Sequence, residues 1–435
     1  MKTTRLPQTT LLLLCLALTL SACQSRQTPP SPKPNIVLIM ADDLGYGDLS
    51  CYGNERIQTP HLDQLAAEGM RFTDYHSNGA VCSPTRAALM SGLYQQRVGI
   101  TGVVYTWLRD SLGMASEVET MAEIFQANGY ITGIFGKWHL GYKKEFNPIR
   151  QGFDEFKGFV AGNVDYHSHL DNQYVFDWWE QDELKEDPGY TTDLITRYGL
   201  EFLEKNQDQP FLLYLPYAAP HDPYQGRNDP PIRTADKSSR SLTDEEIVPI
   251  YQEMVEVLDD GVGQVVNKLK SLNLAEHTLV IFCSDNGANK RGSNGILRGF
   301  KGGLYEGGHR VPAMAWWPGK IPAGQENPSL ILSMDWLPTL MDLAEIPLGE
   351  RALDGQNISS VLLAGETLHS KPRFWRYNQL KAVRSGDWKL VQTKGKSELF
   401  NLADDPGESL DLSEREPERL AELQKALADW ESALP

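Results

Sequence analysis

Five short segments of this chain bring acids, bases and a cysteine to places where a charged substrate can be worked on. Ala41-Asp42-Asp43-Leu44-Gly45 sets two carboxylates side by side, and Ser284-Asp285-Asn286-Gly287 adds a third with an amide next to it. Gly136-Lys137-Trp138-His139-Leu140-Gly141 offers a cation and an imidazole two residues apart, and His221 follows an apolar run directly. The fifth segment is Cys82-Ser83-Pro84-Thr85-Arg86-Ala87-Ala88-Leu89-Met90-Ser91-Gly92. Pro84 suits the first turn of a helix and Ala87 to Met90 are strong helix formers, so the spacing predicts Cys82 at or just before a helix amino terminus. That position stabilises negative charge, and Arg86, one turn along, can reach back toward an anion gathered there. On these grounds the segment suits either a thiolate of lowered pKa or an anion site.

The elements that must position these groups are legible as apolar runs, each followed at once by polar or glycine-rich residues. Asn35 to Met40, Tyr130 to Phe135, Phe211 to Tyr217 and Thr278 to Cys283 have the length and β-branched content of buried parallel strands. Between them lie helical patterns, such as Leu62 to Glu68 closed by Gly69. A second runs from Tyr251 to Leu269, where Met254, Val255, Leu258, Val262, Val265 and Val266 recur at three-to-four spacing. Strands alternating with helices predict an α/β sheet. Ligands of open α/β sheets sit beyond the carboxyl ends of the strands, where Asp42, Asp43, Lys137, His139, His221, Asp285 and Asn286 all fall. After about Pro347 the pattern changes. Ala382 to Val391 and Glu398 to Leu402 read as strands, and Leu420, Leu423, Leu427 and Trp430 mark an amphipathic helix, which predicts a smaller α+β domain over 347–435.

The amino-terminal residues read as an address. Lys2 and Arg5 precede an apolar run from Leu11 to Leu20, the layout of a bacterial export signal over residues 1–22. Leu20-Ser21-Ala22-Cys23 resembles the lipobox of bacterial lipoproteins, which implies a lipid anchor on Cys23 and a place in the cell envelope, at the periplasmic face or outer membrane. Residues 23–34 carry Pro29, Pro30, Pro32 and Pro34 and predict an extended tether, leaving a large domain over 35–346. Of five cysteines, Cys15 leaves with the signal and Cys23 is lipidated, so Cys51, Cys82 and Cys283 remain; this is no disulfide scaffold. A formal net charge of −17 argues against nucleic acid as a partner, and an anionic substrate needs local cations.

The Cys82 segment is similar to the signature of the type I sulfatases, in which the cysteine of a Cys-x-Pro-x-Arg frame is oxidised after translation to formylglycine. The resemblance extends through Ala87-Ala88-Leu89-Met90-Ser91-Gly92, the Asp42-Asp43 segment to Asp48, the Lys137-His139 segment and Ser284-Asp285-Asn286-Gly287, in the family's order. It implies an alkaline-phosphatase-like fold, with a large mixed sheet sandwiched by helices. It also implies one calcium ion bound by Asp42, Asp43, Asp285, Asn286 and an oxygen of modified Cys82; oxygen-only ligands suit a hard ion. Three clustered acids would repel one another without a cation. By the same resemblance Arg86 and Lys137 favour ionisation of the aldehyde hydrate at position 82, which attacks sulfur. His221 and Lys301 hold the sulfate oxygens and help protonate the departing alcohol, and His139 takes a proton as sulfate is freed. A formylglycine-generating enzyme is then a partner in maturation.

The expected substrate is a sulfated sugar or oligosaccharide, because an exported, anchored enzyme meets extracellular glycans; a small aryl sulfate fits equally. The rival readings are a phosphomonoester or phosphonate-ester hydrolase of the same superfamily and a non-catalytic glycan-binding lipoprotein. His167 and His169 form a His-x-His pair expected to line the substrate mouth or cap a loop, not to bind zinc. Tyr105, Trp107, Trp178 and Trp179 are candidates to stack on sugars, although aromatic residues more often build cores. Arg310, in Glu306-Gly307-Gly308-His309-Arg310-Val311-Pro312, resembles a family segment near the sheet, and an ordinary structural ion pair is an equal expectation for it.

Overall fold

The alternation of side chains along a single strand accounts for the layering of this molecule. In the computed structural model, which describes residues 33–108, 111–368 and 371–435, strand β1 (Asn35–Ala41) is buried along its whole length. Ile36, Leu38 and Met40 enter one hydrophobic core, whereas Val37, Ile39 and Ala41 enter another on the opposite face. A strand apolar on both faces needs cover on both, which is why it reads as one continuous run.

Parallel neighbours flank β1. They are β3 (Phe211–Pro216) on one side, followed by β2 (Ile131–Lys137), and β4 (Thr278–Ser284) on the other. The register pairs Ala41 with Ser284 and Met40 with Pro216, so the carboxyl ends of these strands lie level. β5 (Ala313–Trp316) runs antiparallel to β4, which makes the sheet mixed. The full sheet has ten strands; Met70–Phe72 and Gln325–Asn327 extend one edge, and Glu155–Phe159, Trp179–Glu180 and Glu183–Leu184 extend the other.

Helices cover each face. α1 (Pro60–Glu68), α3 (Thr191–Lys205) and α4 (Asp244–Ser271) bury Leu62, Ile195 and Leu258 with Val37 and Ile39. α2 (Cys82–Ser91) places Ala87, Leu89 and Met90 in the other core. α4 starts earlier than its apolar periodicity suggests, because Thr243 and Glu246 form a capping box that satisfies backbone N–H groups ahead of the first buried position.

The carboxyl-terminal sheet is an antiparallel meander of β6 (Arg373–Tyr377), β7 (Leu380–Ser385), β8 (Trp388–Thr393) and β9 (Lys396–Asn401). The single strand expected over Ala382 to Val391 is in fact two strands. Gly386, at φ +58°, and Asp387 form a two-residue turn between Ser385 and Trp388, which pair across the hairpin. α5 (Pro417–Ser432) packs Leu423, Leu427 and Trp430 on this sheet, in a cluster shared with Ala80, Ala88 and Leu304 of the larger layer.

Buried ions join the two layers. Lys389 of β8 lies 2.8 Å from Glu306 and 2.9 Å from Glu408, and Arg384 of β7 lies 2.7 Å from Asp74. Arg310 pairs with Glu306 and Asp74 in the same network, the structural role expected of it. Residues 34–435 form one compact unit, and no helix among the described residues is long and apolar enough to cross a membrane. The expected leader, Cys23 and all but the last two residues of the tether lie outside the described residues.

Candidate active site

Level strand ends deliver the acids to one place. Asp42 and Asp43 follow β1, and Asp285 and Asn286 follow β4, with the Asp285 N–H donating to the Ala41 carbonyl at 3.1 Å. Asp43 holds a left-handed backbone, φ +64°, a conformation costing roughly 1–2 kcal/mol for a residue with a Cβ. All four side chains are buried. Lys137 ends β2, where Gly136 lets the strand approach β3: a Cβ there would meet the Pro216 carbonyl at 2.2 Å.

Cys82 occupies the first turn of α2, as its neighbours predict, and Val81 ahead of it is extended and provides no side-chain cap. The Cys82 Sγ stands 3.4 Å from Asp42 Oδ1 and 3.5 Å from Lys301 Nζ. Lys301 is carried by a turn fixed at both ends: its own N–H donates to Ala288, and the Gly302 N–H donates to Ala80, just before the helix. The cations divide among the acids. Lys137 Nζ is 2.5 Å from Asp42, Lys301 Nζ is 2.6 Å from Asp43, and Arg86 binds Asp285 while donating to the Lys137 carbonyl at 2.9 Å.

This crowding shows in the ionisation of the groups. Burial pushes the Cys82 thiol up, but Lys137 and Lys301 outweigh it and bring its pKa to about 7. Burial, with Asp42 close by, lifts Asp285 to about 6, and burial also raises Asp42. Asp43 resists burial and stays below the carboxylate range because Lys301 stands against it. Burial opposes a charge on His221, and so does Lys301; Asp43, Asp42 and Asp222 prevail and raise it to about 10. Burial, together with Lys137 and Arg86, holds His139 well below the ordinary imidazole range.

Cation-ligand chemistry fits these residues. Ligand atoms of Asp42, Asp43, Cys82 and His221 all lie within 4.8 Å of one another, and Asn286 Oδ1 is buried with no hydrogen-bond partner among the described residues. Asp285 adds Oδ1, which accepts only a long 3.3 Å bond from the Asp43 N–H among the hydrogen bonds described. An orphaned carbonyl oxygen amid three buried carboxylates suits a hard divalent ion.

Cys82, His139, His221 and Lys301 line one cavity of about 370 Å³ together with Tyr105, one of the aromatic candidates, and with Asn163 and Tyr377, which no spacing in the sequence marks. Tyr377 ends β6 and arrives from the other layer, and Asn289, which donates to Asp43 at 3.2 Å, sits in a loop with no periodicity. His169 is not at the mouth: its ring stacks on Trp178 at 4.0 Å, and both are buried. The backbone N–H of His167 donates to Asp165 Oδ1, which caps the turn, and its Nε2 lies 3.1 Å from the Gly226 carbonyl. Trp178 therefore belongs to the core, while Trp107 and Tyr105 remain exposed.

The comparisons with known proteins agree with this geometry. A sulfatase family model matches residues 34–346, and a model for the carboxyl-terminal part of N-sulphoglucosamine sulphohydrolase matches residues 300–432. The chain is 37% identical to human arylsulfatase A over 428 residues, covering 90% of this chain and 82% of that one. It is 32% identical to N-acetylgalactosamine-6-sulfatase of the dog, covering 91% and 84%. Among solved structures, Ps i-CgsB in complex with k-i-k-neocarrahexaose superposes with a TM-score of 0.83 at 32% identity, covering 92% of each chain. With one family model spanning most of its length and relatives above 30% identity along nearly all of it, the chain belongs to the sulfatase family and is a sulfuric ester hydrolase.

Proposed function

We propose that this enzyme removes sulfate from sulfated sugars or oligosaccharides, with position 82 as its nucleophile. The observation that carries the reading is the place of Cys82, buried at a helix amino terminus between Asp42 and Lys301 in a cavity open to ligand. Two comparisons support the substrate class: one relative is named for a sulfated N-acetylgalactosamine, and Ps i-CgsB holds a neocarrahexaose.

Conversion of the thiol to formylglycine, by a dedicated modifying enzyme, supplies a hydrated aldehyde able to attack sulfur. A calcium ion held by Asp42, Asp43, Asp285, Asn286 and position 82 supplies positive charge for the sulfate oxygens. The chain's own side chains do the rest. Lys137 and Lys301 concentrate positive charge where the anion enters, and Arg86 fixes Asp285 in place. His221 Nδ1 donates to the Asp222 carbonyl at 2.7 Å, which leaves Nε2 to face the departing oxygen. His139 Nε2 donates to the Val104 carbonyl at 3.0 Å, so its Nδ1 is an acceptor, and that atom has no hydrogen-bond partner among the described residues. In this reading it takes a proton released at position 82.

The reading includes export and a lipid anchor on Cys23, on the strength of the Lys2 to Cys23 sequence. Mass spectrometry of the Cys82 peptide from active protein, beside assays of matched sulfate and phosphate esters, tests the catalytic part. Formylglycine with preference for sulfate is expected. An intact thiol in fully active enzyme, or preference for phosphate, would overturn it. For the anchor, Cys23→Ala is expected to release the protein from the membrane fraction.

A further inference from the structure

The cavity that holds Cys82 has a wall the sulfate chemistry does not use. Tyr105 and Tyr377 line it, from segments far apart in sequence, together with Asn163 and Asn172. Tyr377 shares this lining with Lys301 and Cys82, so the wall stands close to the reacting end. Trp107 is not part of the lining. Its ring stacks on Tyr105 with centroids 4.1 Å apart and planes 9° from parallel, and it is 63% exposed while Tyr105 is 38% exposed. The pair is held by a short connection: Thr106, between them, donates to Asn172 Oδ1 at 2.9 Å.

An exposed tryptophan stacked on a tyrosine leaves a flat apolar surface in water, continuous through Tyr105 with the lining of the cavity. Its chemistry suits one ligand in particular. A pyranose ring is a disc with C–H bonds on its faces and hydroxyls around its edge, so it packs on an aromatic plane while amides reach its rim. We propose that Tyr105 and Tyr377, with Asn163 and Asn172, form the pocket for the sugar that carries the sulfate, and that Trp107 continues it outward as a platform for the next sugar of an oligosaccharide. This rests on the sulfate-ester reading of the site and narrows its substrate from sulfated sugars in general to a sulfated saccharide of at least two residues.

The test compares substrates of different length on Trp107→Ala, using the full-length enzyme, 4-nitrophenyl sulfate, sulfated galactose and hexosamine monosaccharides, and hexasaccharides of the same sugars. Wild type is expected to prefer a hexasaccharide to its monosaccharide. Trp107→Ala should lower kcat/KM about tenfold on that hexasaccharide, through KM, while kcat and both small substrates change less than twofold; Trp107→Phe should restore most of the loss. An equal loss on small and large substrates, no loss on any, or a wild type that favours the monosaccharide would overturn the proposal. If wild type turns over no sulfate ester at all, the sulfatase reading fails separately. Titration calorimetry with the hexasaccharides then decides: a Kd about tenfold weaker in Trp107→Ala sustains the platform, and unchanged binding, or none by wild type, removes it.

Discussion

Arg86 and Asp285 meet through two nitrogens and one oxygen: Nε at 3.1 Å and Nη2 at 2.8 Å both donate to Asp285 Oδ2. The remaining nitrogen, Nη1, donates to the Lys137 carbonyl, so one guanidinium ties the ends of β2 and β4 to the first turns of α2. A lysine carries the same charge but cannot make this fork. Arg86→Lys is expected to lower kcat/KM for an aryl sulfate by at least about tenfold, because removing part of a buried, hydrogen-bonded charge pair costs about 2–5 kcal/mol. Wild-type activity in this variant would show that the fork does not position Asp285 for turnover.

The orphaned Asn286 Oδ1 gives a binding prediction independent of catalysis. Calcium at about a hundred times its Kd should stabilise the fold by about 2.7 kcal/mol. Thermal melts with chelator and with calcium should therefore separate by a few degrees for wild type, and Asn286→Ala should shrink the gap. Superimposable melts for wild type would rule out the ion-binding assignment.

Replacement of Cys82 should abolish turnover without unfolding the chain. Its thiol contacts Asp42 and Lys301, not the apolar core of α2. Cys82→Ala is expected to leave near-ultraviolet circular dichroism and cooperative melting unchanged while activity falls below detection. Residual activity at even a few per cent of wild type would assign the nucleophile elsewhere.

Lys389 neutralises two buried acids at once, Glu306 and Glu408. Lys389→Met should destabilise the protein by about 3–5 kcal/mol, since a broken buried pair leaves charge uncompensated. Burial already raises Glu408, and without the lysine it rises further. A buried acid with raised pKa binds its proton more tightly in the folded chain, so its contribution to stability declines as pH rises. Denaturant unfolding of the variant should thus show a larger deficit at pH 8 than at pH 5. A second change, Glu408→Gln, should recover part of it.

Much of the α/β architecture is legible because buried parallel strands are short, apolar and punctuated, as β1 and β4 are. The chemistry-bearing loops are legible for the same reason: Asp42, Asp285 and Lys137 sit at or next to strand ends, which level registers bring together. What escapes the sequence depends on approach between distant segments. Tyr377 reaches the cavity only because β6 docks beside α2, and nothing near it in the chain signals that. The stacking of His169 on Trp178 is likewise a product of packing, and a His-x-His spacing carries no information about it. The hairpin inside Ala382 to Val391 is different, because Gly386-Asp387 between two strand-like runs is itself a turn signal that outweighs the reading as one strand.

The position of Glu306 has a practical corollary for anyone engineering this enzyme. It lies a few residues beyond Lys301 and is clasped by side chains of β7 and β8, while a Cβ on Gly287, next to Asn286, would meet the Gly307 carbonyl at 1.9 Å. The meander near the end of the polypeptide is therefore a wedge behind the catalytic loops, not a detachable accessory. Shortened expression forms that omit it should lose catalysis along with solubility, and grafting a different tail domain would require rebuilding the ionic clasp as well as the apolar seam.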